Sequence, residues 1–359
     1  MRKHSARSES GITWPLIVAC SALLFLGFQV APARALSPGE QRADVFFASG
    51  GRILTMKADG SGREVLFGRK LSPKNVWDGA TGPVVSPDGS TVVFSFRRTV
   101  RDKDVTDIWR MNSDGTGARR LILSAPNKSY GDPTFMRNGR LAVAYFFRGA
   151  KLTWTGVRSM DSQGNSVKTV FELKRRNRPY VLPPTVAEPD FSTNGKRLLY
   201  VLANGAWGDF DDQGFENDLM SRNLENGRTV KVAEGVFDAT WSPDGRRIAY
   251  SGESEDSDLE NCWWEFGCDF ESQLAVMNAD GSDKRLLTGK PVDERSPDWS
   301  SWNTIVFQSA RNIPGAGESS EIYSIQASGK CLTQLTNGSP ASTSPVFSER
   351  AGMNSRPTG

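Results

Sequence analysis

Apolar and polar positions in this chain alternate in short runs rather than in helical stripes. Thr91–Phe96, Leu141–Phe147, Arg197–Leu202, Arg247–Ser251 and Thr304–Gln308 are rich in the β-branched and aromatic residues that suit a pleated, half-buried surface. Each run follows the same phrase: a small or acidic residue, usually a proline, any residue, an apolar residue, then a Gly or Asn turn. The phrase reads Pro83-Val84-Val85-Ser86-Pro87-Asp88-Gly89 at its first full occurrence. It returns at Pro133, Pro189, Ala239, Pro297 and Pro345, at spacings of 50, 56, 50, 58 and 48 residues. A second run then leads into an Asp-Gly turn, as in Asp107–Met111 before Asp114-Gly115 and Gln273–Met277 before Asp280-Gly281. A third run closes the unit, as in Arg119–Leu123 and Arg285–Thr288. Asp-Gly and Asn-Gly supply the positive φ angles of two-residue turns. The prolines are expected at strand entrances, where a missing donor costs least.

Roughly 50 residues per four-stranded unit, six times over, predicts an all-β fold, a six-bladed β-propeller with four-stranded blades. The chain ends support ring closure. The last phrase, Pro345–Gly352, has no sequel, while the runs Ala43–Ala48, Arg52–Met56 and Glu64–Phe67 have no preceding phrase. Together they make one blade, with the C-terminal strand innermost, and closure removes the exposed edges of an open array.

Trp241-Ser242-Pro243-Asp244-Gly245-Arg246-Arg247-Ile248-Ala249-Tyr250, with Val276–Ser282 and Arg285–Thr288, resembles the repeat of the TolB-type six-bladed propeller family. The resemblance covers about residues 42–352 and is specific for the repeat. It implies the same closed fold and a non-catalytic scaffold role in the cell envelope, with a protein or peptide, a lipoprotein among the candidates, bound at a propeller face. No partner-contacting residue transfers. The family's N-terminal α/β domain has no counterpart between Ala35 and the first strand.

Residues 1–35 read as a targeting segment and are set apart from fold reasoning. Arg2, Lys3, His4 and Arg7 precede an uncharged apolar stretch, Pro15–Val30, and Ala33-Arg34-Ala35 fits a cleavage site. An uncleaved anchor over Gly11–Val30 stays open, whereas lipoprotein processing at Cys20 is set aside because the apolar run continues ten residues past it. The expected layout is a signal peptide over 1–35, one propeller over 36–355 and a tail over 356–359, giving an exported periplasmic or extracellular monomer, tethered if the segment is retained. Without the leader the basic count is 44 − 4 = 40 and the acidic count 41 − 1 = 40, so the +3 of the whole chain belongs to the leader. A neutral domain points to no nucleic acid or anionic membrane partner. A mean hydropathy of −0.44 excludes a multi-span membrane protein.

The only histidine of the 359 residues is His4. A mature chain without histidine excludes a Ser-His-Asp triad, a Cys-His pair and histidine-ligated metals. No Gly-x-Ser-x-Gly elbow is present either. Chemistry that remains must use carboxylates, lysines or an oxygen-ligated metal, and no cofactor motif appears. Asp209, Asp211 and Gln213 open like a calcium loop, but the twelfth position is Met220 where a bidentate Glu belongs. A solvated acidic loop is the competing reading. Glu253–Glu260 is a second acidic insertion, followed by Cys262 and Cys268, read as a local disulfide that leaves Cys331 over.

Asp132, Glu188, Asp238 and Asp298 fall in the phrases, near the expected channel, and are candidates for holding a cation or a basic peptide end. Their alternative role is capping strand ends and turns. Trp207, Phe210, Trp263, Trp264 and Phe266 lie in long insertions, where binding often resides, or else fold back on the blades. Trp241, Trp299, Phe135, Phe191 and Phe347 are expected in the inter-blade core. Lys174–Tyr180 forms a basic segment between blades. The leading expectation is a protein- or peptide-binding propeller; the alternative is a carbohydrate-binding or carboxylate-based carbohydrate-acting propeller.

Overall fold

A computed structural model describes residues 44–68, 79–100, 103–177, 183–204, 216–253, 272–289, 292–311, 320–338 and 340–348. They form six four-stranded antiparallel sheets and no α-helix. Blade 1 joins β1 (Asp44–Ser49), β2 (Arg52–Lys57) and β3 (Glu64–Phe67) to β24 (Ser342–Phe347), which lies innermost. Blade 2 is β4 (Gly79–Val85), β5 (Thr91–Val100), β6 (Lys103–Asn112) and β7 (Arg119–Ile122). Blade 3 is β8 (Lys128–Phe135), β9 (Leu141–Arg148), β10 (Leu152–Met160) and β11 (Lys168–Arg176). Blade 4 is β12 (Thr185–Phe191), β13 (Arg197–Asn204), β14 (Glu216–Asn223) and β15 (Thr229–Ala233). Blade 5 is β16 (Val236–Trp241), β17 (Arg247–Glu253), β18 (Ser272–Asn278) and β19 (Arg285–Leu286). Blade 6 is β20 (Glu294–Trp299), β21 (Thr304–Ser309), β22 (Glu321–Gln326) and β23 (Thr333–Gln334). The C-terminal strand thus completes the N-terminal blade, pairing Val45 with Phe347 and Ser49 with Ser342.

The recurring phrase builds the inner strand and the turn that leaves it. In blade 2, Ser86 Oγ donates to Asp88 Oδ1 at 2.5 Å and accepts from the Thr91 N–H at 2.9 Å, while the Ser90 N–H reaches Asp88 at 3.1 Å. Ser192 with Asn194 in blade 4 and Ser242 with Asp244 in blade 5 repeat the arrangement. The side chains satisfy the turn's own donors, so the turn forms from local chemistry.

The prolines differ from expectation. Pro83, Pro133, Pro189, Pro297 and Pro345 stand inside the inner strands, at register shifts such as Thr81/Val84 and Gly131/Thr134. A bulge leaves its extra residues out of the ladder, so a residue without an N–H forfeits no strand bond there.

Each seam between blades holds its own core cluster. Phe46 and Phe94 meet between blades 1 and 2, and Val93 and Val143 between blades 2 and 3. Phe171 and Tyr200 stack at 4.7 Å between blades 3 and 4. Trp241 seals blades 4 and 5, and Trp299 seals blades 5 and 6. At the closing seam Val45 and Phe47 pack on Val306 and Ile322, with Trp302 edge-on to Phe347 at 5.3 Å. Burying one such aromatic contributes about 1.5–3 kcal/mol, and every blade depends on both neighbours for it.

Candidate functional site

The strand order gives the ring two rims. The phrase turns lie on one. The connections between second and third strands lie on the other, called here the hairpin rim. The inner strands surround a central channel of ≈ 470 Å³ that lies toward the hairpin rim. A smaller space of ≈ 100 Å³ lies toward the turn rim, bordered by Phe135, Phe191, Trp241 and Trp299.

The residue before the phrase's third-last apolar position, one ahead of the proline, occupies a matched place in every blade. Around the ring these are Gly82, Asp132, Glu188, Asp238, Ser296 and Ser344, and all six line the channel. Three consecutive blades therefore supply carboxyl groups, and the other three supply only glycine and serine. Asp132, Glu188, Ser296 and Ser344 hold φ angles of 46°, 49°, 53° and 50°. Left-handed backbone costs a non-glycine residue about 1–2 kcal/mol, and a cluster of such residues at one place marks a functional candidate. Asp238 precedes Ala239 rather than proline and is absent from the left-handed set.

Two of the carboxyls bridge to the next blade. Asp132 Oδ2 accepts the Glu188 N–H at 3.2 Å. Asp238 Oδ2 accepts the Ser296 N–H at 3.1 Å and the Ser251 hydroxyl at 3.0 Å. The Glu188 carboxyl has no hydrogen bond or ion pair with a described residue and retains solvent contact within the channel. Glu188 is exposed to the channel, whose walls limit the solvent around it, and this desolvation pushes its pKa well above the usual carboxylate range, helped by the charges of Asp132 and Asp238. Desolvation likewise raises Asp132, partly offset by the Glu188 N–H, and raises Asp238 against the Ser296 N–H and Arg295. Desolvation is the main cause for all three, and a cationic group entering the channel would oppose it.

Asp298 stands two residues further along its phrase than this ring. Its carboxylate is buried and accepts the Phe347 N–H of the neighbouring blade at 2.9 Å. Asp190 does the same between blades 4 and 5, accepting from Trp241 N at 2.8 Å and Thr240 Oγ1 at 3.1 Å. Among the described residues no group of three His, Cys, Asp or Glu side chains could hold a metal ion. Trp207, Phe210, Asp209, Asp211, Gln213, Cys262, Cys268, Trp263, Trp264 and Phe266 lie outside the described residues. So does the candidate anchor, and no helix among the described residues is long and apolar enough to cross a membrane. Sequence reasoning missed the left-handed bulge, the seam role of Asp190 and the sharing of the acids among adjacent blades. The signal was present as the residue preceding each proline.

No family model matches the chain. Curated relatives named "Tol-Pal system protein TolB", from Anaeromyxobacter dehalogenans (strain 2CP-C) and Anaeromyxobacter sp. (strain K), are each 40% identical over 76 residues. The match takes in 20% of this chain and spans only 17% of the length of those relatives. Among solved structures, TolB from Acinetobacter baumannii superposes with a TM-score of 0.59 at 14% identity, over 87% of this chain and 68% of that one. The putative TolB from Agrobacterium tumefaciens gives 0.51 at 15% identity, over 82% and 88%. The chain is a TolB-like six-bladed β-propeller. The same ring is found in an enzyme, the Kuenenia stuttgartiensis hydrazine synthase, at a TM-score of 0.56 and 15% identity, so the TolB-like likeness at this level shows the fold alone.

Proposed function

We propose that this TolB-like propeller is an exported, non-catalytic scaffold that binds an envelope protein or peptide, and that the partner places a cationic group in the central channel. The observation that carries this reading is the arc of Asp132, Glu188 and Asp238 on consecutive blades, facing a channel that opens on the hairpin rim. The curated relatives are named as Tol-Pal system components, which supports an envelope scaffold, with a lipoprotein among the partners to be tested. The lining favours a protein group over a sugar, because no tryptophan stands among the described residues of the channel while three carboxyl groups do. An arginine or lysine side chain, or a chain amino terminus, offers one charge in a volume that three separated carboxyls can share.

Affinity capture from intact cells tests the reading, comparing the protein with its D132N/E188Q/D238N variant after mild crosslinking. Wild type is expected to recover one stoichiometric envelope protein, and the variant is expected to lose it by on the order of tenfold or more, as for removal of one side of a desolvated charge pair. Equal recovery by both, or specific glycan binding with no protein recovered, would overturn it.

A further inference from the structure

The outer edge of blade 3 differs from the other five. The outermost strands β3, β7, β15, β19 and β23 have 4, 4, 5, 2 and 2 residues, whereas β11 has 9. Among the described strands β11 ends its sheet and pairs with β10 alone. A long open edge carries unpaired N–H and C=O groups, and short strands are one means of blunting it. Here the segment Phe171–Arg176 runs without a register break, from Phe171 opposite Val157 to Arg176 opposite Leu152.

This edge also carries a cluster of like charge. Lys174, Arg175 and Arg176 are exposed at its end, beside exposed Arg148, Lys151 and Lys128. None of the six forms an ion pair with a described residue, although Arg97, Arg98 and Arg120 of the neighbouring blade are all paired to Asp104 or Asp107. The register sorts the cations into rows. Arg148 and Arg175 both stand opposite Thr153 on one face. On the other face Lys128, Phe147, Trp154 and Lys174 follow one another across the strands. The Phe147 and Trp154 rings lie 5.1 Å apart, half-buried, with the Lys174 ammonium 5.5 Å from the indole. One face thus carries two lysines flanking an aromatic pair, and the other carries two arginines.

We propose that β11 is a docking edge for an acidic, extended peptide segment, which pairs with Phe171–Arg176 as a fifth strand of blade 3. Backbone pairing supplies the affinity. Carboxylates at alternate positions share one face of a strand and meet Lys174 and Arg176 there, while Arg175 adds positive charge on the other face. The open ladder selects a polypeptide over other polyanions, because only a backbone matches its donors and acceptors. This site is separate from the channel, so neutralising Asp132, Glu188 and Asp238 leaves it unchanged.

The test uses the full propeller and a fluorescein-labelled octapeptide of alternating Glu and Val, followed by fluorescence anisotropy at low and high salt. Its twin carries N-methyl groups at alternate backbone positions. Wild type is expected to bind the first peptide in a salt-sensitive manner and to bind the N-methylated twin at least tenfold more weakly. The K174E/R175E/R176E variant, with an unchanged melting curve, is expected to lose at least tenfold for the first peptide. Equal binding of the twin, or unchanged binding by the charge-reversed variant, overturns the proposal. So does absence of peptide binding, whether the edge instead takes phosphatidylglycerol vesicles or joins two copies of this chain in size-exclusion chromatography.

Discussion

A carboxyl group set in a protein-walled channel beside other acids keeps its proton to a higher pH than it would in water. Glu188 meets this condition in the channel, and Asp132 and Asp238 add like charge to it. The folded protein therefore binds this proton more tightly than the unfolded chain does. Stability then falls as pH rises from the ordinary glutamate value of 4.5 through the folded value, because the folded state must give up a proton that the unfolded state has already lost. Glu188→Gln removes that dependence. Melting temperature measured against pH is expected to flatten in the variant over this window, with the variant the more stable of the two at its upper end. A variant curve parallel to wild type would refute the assignment of Glu188 to a desolvated place. The asymmetry of the ring also belongs to this scale. Gly82, Ser296 and Ser344 stand where the acids stand on the other blades, so the position is set by the fold and the charge by the residue chosen there.

At the scale of elements, the turns between second-last and outermost strands of blades 1, 2 and 5 also pack on the preceding blade. Gly60 has φ 85°, and a Cβ there would lie 2.6 Å from the Leu335 carbonyl oxygen of blade 6. Gly60→Ala is expected to cost roughly 2 kcal/mol or more, from backbone strain together with the collision. Gly245, with φ 67° and nothing within 4 Å of the added Cβ, provides the control: Gly245→Ala carries the backbone part alone, about 1 kcal/mol. Urea midpoints at unchanged slope measure both, and equal losses would mean that the turn does not bear on the adjoining blade. Such turns were legible in advance because Asp-Gly names both the turn and its conformation. The inner strands were legible because the phrase repeats. The bulge that turns Asp132 and Glu188 into the channel was not, since proline suggests a strand entrance and nothing local shows that the ladder skips there. The length of β11 was hidden for a related reason. Lys174, Arg175 and Arg176 read as a linker by composition, and only pairing with Leu152–Trp154 makes them strand.

The whole molecule is held by a seam made of residues nearly 300 positions apart. Asp298 fastens Phe347 across it, and Val45 pairs with Phe347 on the other side. Asp298→Ala leaves a buried N–H without its acceptor and is expected to cost about 1–3 kcal/mol, seen as a lower urea midpoint in a transition that remains single. Two transitions would show that the blades do not share one cooperative ring. The closed ring in turn gives the channel its fixed walls, and the acids on blades 3, 4 and 5 give it a charged half. The central claim is that a protein partner engages this channel from the hairpin rim. A photo-crosslinking residue placed at Thr185, which lines the upper channel, tests it in intact cells against the same residue at Val65 on the outer face, 45% exposed. The account predicts one adduct of discrete mass from position 185 and none from position 65. No adduct from position 185, or the same adducts from both, would contradict it.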